Sequence, residues 1–318
     1  MTMSPRFDIL AIGEPMVEFN QAGGAGSREY LQGFGGDTSN FAIAAARQGA
    51  KVAYYTRLGD DIYGGMLREL WAREGVDAST VQADPEAFTG IYFVTHDARG
   101  HQFSFFRTGS AASRMQPQHL PLVALRGARV LHLSGISFAI SASAADTCFA
   151  AIDAARAAGA MVAFDTNLRL RLWPKDRARA VMSDAIGLAD ICLPSYDDVV
   201  AITGLTEPDA IVDWCLGRGA RTVALKLGGD GAIVADREQR HRIAAHRCTA
   251  VDATGAGDTF GGAFVARLIA GDTIAAAGRY AAVAAALSTE GFGAVAPIPT
   301  ADTVRRAMKE SAIKEGGS

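Results

Sequence analysis

Short apolar runs alternate with helix-period stretches along most of this chain, and few architectures accept that alternation. A strand that leads through a helix to another strand returns to the same sheet in parallel, so the pattern predicts an α/β fold with a mainly parallel sheet. The runs are FDILAIG from Phe7, KVAYYTRLG from Lys51, ARVLHLSG from Ala128, AMVAFDT from Ala160, ADICLPS from Ala189 and RTVALKLG from Arg221. Helical stretches follow from Thr38, Ile62, Ser143 and Ala210, several ending in Gly as helix C-termini do. With 318 residues, 49% of them apolar, the chain can bury a sizeable core.

Two segments break the rhythm. Residues 14–34 are strand-like around a Gly-rich turn at Gly23 to Gly26, and residues 89–108 read as a hairpin, TGIYFVTHD-ARG-HQFSFFRT. They are expected to pair into a small accessory sheet. With a period of two, Phe103, Phe105 and Arg107 share one face while Ser104 and Phe106 share the other. An apolar face that carries an arginine reads as a cover over a ligand. The expected division is a large α/β domain of residues 1–13, 35–88 and 109–318, binding nucleotide and substrate, and a discontinuous β lid of residues 14–34 and 89–108.

Bulk charge narrows the partners. A formal net charge of -3, with its charges scattered, offers no basic field for nucleic acid and no polybasic patch for a membrane, which leaves a small molecule. MTMSPRFDIL lacks the regions of a signal peptide, and the Ala-rich segment 274–287 is broken by Arg279 and Tyr280 and too short to span a bilayer. Cys148, Cys192, Cys215 and Cys248 are far apart and read as reduced core residues of a cytoplasmic protein. His96, His101, His119, His132, His241 and His246 show no metal-ligand spacing.

The stretch VDATGAGDTFGGAF from Val251 carries the chemistry. Gly255, Ala256 and Gly257 sit where a helix begins, so unpaired N–H groups should point outward at its positive end, an anion hole without blocking side chains. Asp258 lies beside it in the first turn. A carboxylate there can accept a hydroxyl proton while the N–H groups stabilise a transferring phosphoryl group. The same glycines also suit a plain helix start with a dipole-stabilising Asp, and spacing alone does not separate the two. No G-K-S/T occurs, so this is no P-loop, and Phe260 stands where a dinucleotide fingerprint needs its third glycine.

VDATGAGDTFGGAF resembles the C-terminal signature of the ribokinase-like (PfkB) carbohydrate kinases, and FGGDTSNFAIAAARQGA resembles their N-terminal Gly-Gly motif. The likeness runs from GEPMVEFN to GFGAV at Gly291. It implies the ribokinase-like fold, a three-layer α/β/α domain with a small β-sheet lid. It also implies ATP and Mg²⁺ as cofactors, Asp258 as the catalytic base, and the backbone of Gly255, Ala256 and Gly257 as the anion hole. ATP should lie along the C-terminal edge of the large sheet. KLGGDG is similar to the family's nucleotide-side segment, which puts Lys226, Gly228 and Gly231 near the phosphates and adenosine; a plain hairpin turn is the other reading. PSYDDV stands in the place of P-N-x-x-E, so Ser195 replaces Asn and Asp198 replaces Glu, leaving an acid for water-mediated Mg²⁺ contact. Asp252 and the carbonyls near Gly291 resemble a monovalent-cation loop, for an ion such as K⁺, with a structural turn as the alternative.

For the acceptor, GEPMVEFN, FGGDTSN, FFRTGSAAS and DTNLRLRLW are most similar to 2-keto-3-deoxygluconate kinases. The resemblance implies a sugar acid lying over Gly35, Gly36 and Asp37, under Tyr92 and Arg107, with Arg169 as a second arginine and Arg171 as its alternative. Two guanidinium groups converging favour an acidic substrate. Phe105 stands where that subgroup has a tyrosine, which removes a hydrogen bond to the acid. Fructokinase-like relatives share the arginine segments, so a ketose kinase is the rival, and a catalytically silent sugar-binding protein is the rival from another class. The apolar outer face at Phe106 predicts a homo-oligomer, most simply a dimer through the lid.

Overall fold

The computed structural model describes residues 6–97 and 100–316; Ala98 and Arg99, at the expected hairpin turn, lie outside them. In chain order the strands are β1 (Phe7–Ile12), β2 (Met16–Gln21), β3 (Tyr30–Gly35), β4 (Val52–Tyr55), β5 (Arg57–Gly59), β6 (Gln82–Asp84) and β7 (Ile91–Asp97). There follow β8 (Gly100–Phe106), β9 (Ala128–Ser134), β10 (Met161–Asp165), β11 (Ile191–Leu193), β12 (Thr222–Lys226), β13 (Ala232–Ala235) and β14 (Arg240–Ile243). Eight of them form one sheet in the order β14-β13-β12-β11-β10-β9-β1-β4. From β4 to β12 the pairing is parallel, as the alternation predicts.

Three details differ from the sequence reading. The run from Lys51 divides at Thr56: β4 closes the edge of the large sheet, whereas β5 pairs with β6 in a two-stranded ribbon. Beyond β12 the sheet turns antiparallel through β13 and β14, because the chain reverses in a short 3-10 turn, Gly228–Asp230, instead of crossing by a helix. Helices Lys175–Leu188 and Tyr196–Thr203 were not anticipated. The first is heavily charged, yet Ala178, Met182, Ala185 and Ile186 give it one buried stripe; the second has only eight residues, two turns of pattern.

Period-two alternation sends each parallel strand's side chains into two cores. Leu10, Ile12, Leu131, Leu133, Val162 and Phe164 face one, with the helices Ala142–Ala157, Lys175–Leu188 and Pro208–Arg218. Ile9, Ala11, Val130 and Ala163 face the other, with the helices Asp37–Arg47, Ala256–Ile269 and Ile274–Ser288. Three layers result, helix on sheet on helix. The two interrupting segments join into a second sheet, order β3-β2-β7-β8, in which β2 and β7 from separate parts of the chain pair in parallel.

From β1 the chain winds one way to β4 and the other way, through β9, to β14. Such a reversal opens a crevice at the carboxyl ends of the strands, where loops diverge. Gly13 and Glu14 after β1, Thr166 and Asn167 after β10, Pro194 and Ser195 after β11 and Leu227 after β12 all emerge at that edge.

Two of the helices that start at this crevice differ from those closed by a side chain. Asp61, Ser141 and Thr273 each accept a backbone N–H in their helix's first turn, closing it. Gly36 and Gly255, which start Asp37–Arg47 and Ala256–Ile269, have no side chain to do so. Two helices therefore present open first turns to the crevice.

Candidate active site

Gly255 takes φ 76, a left-handed turn that ordinary residues avoid, and a Cβ there would stand 2.9 Å from the Ala294 carbonyl oxygen. Among the described residues, nothing accepts the N–H groups of Gly257 and Asp258, whereas the Ala256 N–H donates to the Ala253 carbonyl at 3.2 Å. Of the three donors expected, Ala256 is committed to closing the turn, the N–H groups of Gly255 and Gly257 have no acceptor among the described residues, and Asp258 adds its own N–H.

Gly261 and Gly262 do something else. A Cβ at Gly262 would meet the Phe41 carbonyl oxygen at 2.5 Å and Ala44 Cβ at 2.8 Å, so the helices Ala256–Ile269 and Asp37–Arg47 approach more closely than side chains allow. That approach brings Asn40 Nδ2 to Asp258 Oδ2 at 2.8 Å. Asn40 was missed from sequence, although it stands one helical turn after Asp37 on the same face.

Around Asp258 the charges are dense. Asp37 is buried; its Oδ2 accepts from Asn167 Nδ2 at 2.9 Å, and its Oδ1 has no partner among the described residues. Asn167 holds φ 28, the one non-glycine residue among those described with a positive φ, which marks strain at the end of β10. Lys226 Nζ donates to Asp165 Oδ2 at 2.5 Å. Burial, and next the Asp37 carboxylate, push the Asp258 carboxyl up to about 8, with Asn40 and Lys226 working against them. Part of Asp258's surface stays open to the crevice. A half-buried acid raised this far beside open N–H donors is, once ionised, a stronger base than an ordinary carboxylate and so suited to accept a hydroxyl proton.

The crevice comprises two cavities. The first, ≈ 740 Å³, brings together Gly35, Gly36, Asp37, Tyr92, Phe105, Arg107, Arg169, Ser195, Asp198, Lys226, Gly255, Gly257 and Asp258 from the residues read in the sequence, and Arg171 as well. Glu14, Asn40, Asp165 and Asn167 join them. The second, ≈ 560 Å³, is lined by Gly228 and Gly231, by Ala256 and Gly257, and by Phe260, Ala282, Ala285 and Ala286. Lys226, Ala253 and Gly257 border both.

Several residues sit differently from expectation. Tyr92 turns its ring to the first cavity, but its hydroxyl donates to Glu18 Oε2 at 2.5 Å. Arg107 pairs with Glu14 and lies over the Phe105 ring at 5.7 Å. Asp198 Oδ2 accepts from Thr166 Oγ1 and the Leu168 N–H. Asp252 reaches neither cavity: it accepts from the Thr254 N–H and hydroxyl and from the Gly293 N–H, closing a turn. Cys148, Cys192 and Cys215 are buried as expected, but Cys248 is exposed, because it lies on the loop that walls the second cavity. Among the described residues no three acidic, thiol or imidazole side chains converge to hold a metal ion, and no helix is long and apolar enough to cross a membrane.

Residues 7–301 match the pattern of the pfkB family carbohydrate kinases. This chain belongs to that family. The carbohydrate kinase is 33% identical over 272 residues to the 2-dehydro-3-deoxygluconokinase of Thermoproteus tenax, covering 83% of this chain and 82% of that one. It is 30% identical over 317 residues to the probable fructokinase-4 of Arabidopsis thaliana, covering 95% and 96%. Its fold superimposes with TM-score 0.85 and 28% identity on the Vibrio cholerae fructokinase crystallised with fructose, ADP and calcium ion, over 96% of this kinase and 99% of that structure. The ribokinase-like architecture expected from the two glycine motifs is therefore the one present.

Proposed function

We propose that this kinase transfers the γ-phosphoryl group of ATP to the terminal hydroxyl of 2-keto-3-deoxygluconate. The observation that carries the reading is that Asp258 lines the first cavity beside Gly257, which with Lys226 also borders the second. A sugar acid in the first and a nucleotide in the second meet there. Asp258 takes the hydroxyl proton, the alkoxide attacks the γ-phosphorus in line as its bond to the bridging oxygen breaks and ADP leaves, and the N–H groups of Gly257 and Asp258 with Lys226 receive the developing phosphate charge.

The nucleotide fits the chain's own donors: open N–H groups at a helix start and a small-residue wall of Ala282, Ala285 and Ala286. Magnesium arrives with the nucleotide as its counter-ion, and Asp198 would reach it through water, since one of its oxygens is already taken. When bound, the metal neutralises charge on the transferring phosphate. A monovalent cation such as K⁺ would depend on carbonyls near Gly291, because Asp252 is engaged in its turn.

The acid reading rests on Arg107, Arg169 and Arg171 in one cavity. The fructokinase reading has support too, since Glu14 already balances Arg107. Coupled ADP-release assays decide between them: kcat/KM at least about tenfold higher for the keto acid is expected, a difference of about 1.4 kcal/mol in transition-state binding. A preference for fructose contradicts the acid assignment, and no ADP formation with any sugar or sugar acid revives the silent-protein reading.

We place the kinase in the cytoplasm and as a dimer through the outer face of the small sheet, where Tyr30 and Phe106 are exposed on either side of Phe93. Light scattering should give twice the chain mass at micromolar concentration; a monomer contradicts the dimer.

A further inference from the structure

Glu14 stands two residues past the end of β1 and is the most deeply buried acid of the first cavity, its side chain wholly inaccessible. A buried carboxylate is costly unless its neighbours satisfy it, so what it touches tells why it is there. Oε1 accepts from Ser110 Oγ at 2.6 Å, and the carboxylate forms an ion pair with Arg107 Nη2. Ser110 in turn donates its N–H to the Arg107 carbonyl at 3.0 Å. Glu14 thus holds Arg107 at both ends, guanidinium and backbone.

The pairing leaves capacity unused. Arg107 Nε and Nη2 are buried and make no hydrogen bond among the described residues, although the side chain is only 10% exposed. Nη2 is occupied by the ion pair with Glu14, so it is Nε that keeps a donor for something else in the cavity the side chain lines.

Glu14 is also wedged between fixed pieces of the fold. A Cβ at Gly36 would stand 2.5 Å from the Glu14 carbonyl oxygen, and one at Gly90 would stand 3.2 Å from its Oε1. Gly36 starts the helix that carries Asp37 and Asn40. One residue therefore ties the arginine at the end of β8 to the helix that positions Asp258.

We infer that Glu14 is a positioning residue: it fixes the Arg107 guanidinium at a set distance from Asp258 and so sets the length of acceptor the first cavity takes. The inference rests on reading that cavity as the acceptor site. Glu14→Gln, which keeps an oxygen toward Ser110 but no charge, should raise the acceptor KM about threefold or more, and Glu14→Ala about tenfold or more. The ATP KM should stay within about twofold in both. In an Arg107→Ala background neither change should move the acceptor KM by more than about twofold, because the residue it acts through is gone.

An acceptor KM unchanged in the otherwise native enzyme overturns the inference, as does the same rise in the Arg107→Ala background. So does a loss confined to kcat and ATP binding. If Glu14→Ala does not fold, Glu14→Gln in the two backgrounds decides alone. The measurement uses whichever acceptor the native enzyme turns over best. A preference for fructose thus overturns the acid reading and leaves Glu14 to be judged on fructose, while a lost coupling to Arg107 overturns Glu14 on either.

Discussion

Asp258→Asn is expected to lower kcat at least about a hundredfold while both KM values stay within about threefold. The amide has the volume of the acid, and its oxygen can still accept the bond from Asn40 Nδ2 that holds the native side chain at 2.8 Å. What it cannot do is receive a proton. The open N–H groups and Lys226 remain, so binding survives and the residual rate measures what electrostatic stabilisation achieves without a base. Steady-state kinetics with ATP and the acceptor varied in turn reads the split directly, and near-native turnover would remove Asp258 from the reaction.

The second large effect is structural. Gly262→Ala puts a methyl group 2.5 Å from the Phe41 carbonyl oxygen, on the backbone of the facing helix, where no rotamer change can relieve it. The helices must part, at a cost of about 1–3 kcal/mol in unfolding free energy. Parting them carries Asn40 away from Asp258, so kcat should fall about tenfold or more, although Gly262 lines neither cavity. Chemical denaturation with kinetics on the same sample tests both halves. Full stability with full activity would show that the two helices do not need this approach.

These two substitutions divide the glycine motif into jobs that spacing does not distinguish. Gly255 serves a left-handed turn and Gly257 a bare face toward Lys226 and both cavities, while Gly261 and Gly262 serve helix packing. From sequence they are one cluster around an acid, and only the partner helix, more than two hundred residues away in the chain, separates them.

The parallel strands were legible because each buries both faces and reads as a continuous apolar run, as in FDILAIG. β13 and β14 were not, being four residues each with β14 largely polar, RHRI. Cavity residues were legible where a motif carried them, as for Asp37, Arg107 and Arg169. Asn40, Asp165 and Glu14 lay inside quoted motifs but act through partners from other strands and helices, and such pairings have no signature in a single sequence. Tyr92 shows the converse: its side chain lines the cavity, but Glu18 on the adjacent strand takes its hydroxyl.

The pH dependence of kcat/KM for the native enzyme and Asp258→Asn tests the central claim most directly, since it reports ionisation in the free enzyme. Burial and Asp37 raise the Asp258 carboxyl to about 8, so the proton-accepting form grows as pH rises and is lost as pH falls. The account predicts a native kcat/KM that climbs about tenfold per pH unit below that value and levels above it, and a low, flat profile without the carboxylate. A rising limb that persists in Asp258→Asn would contradict it.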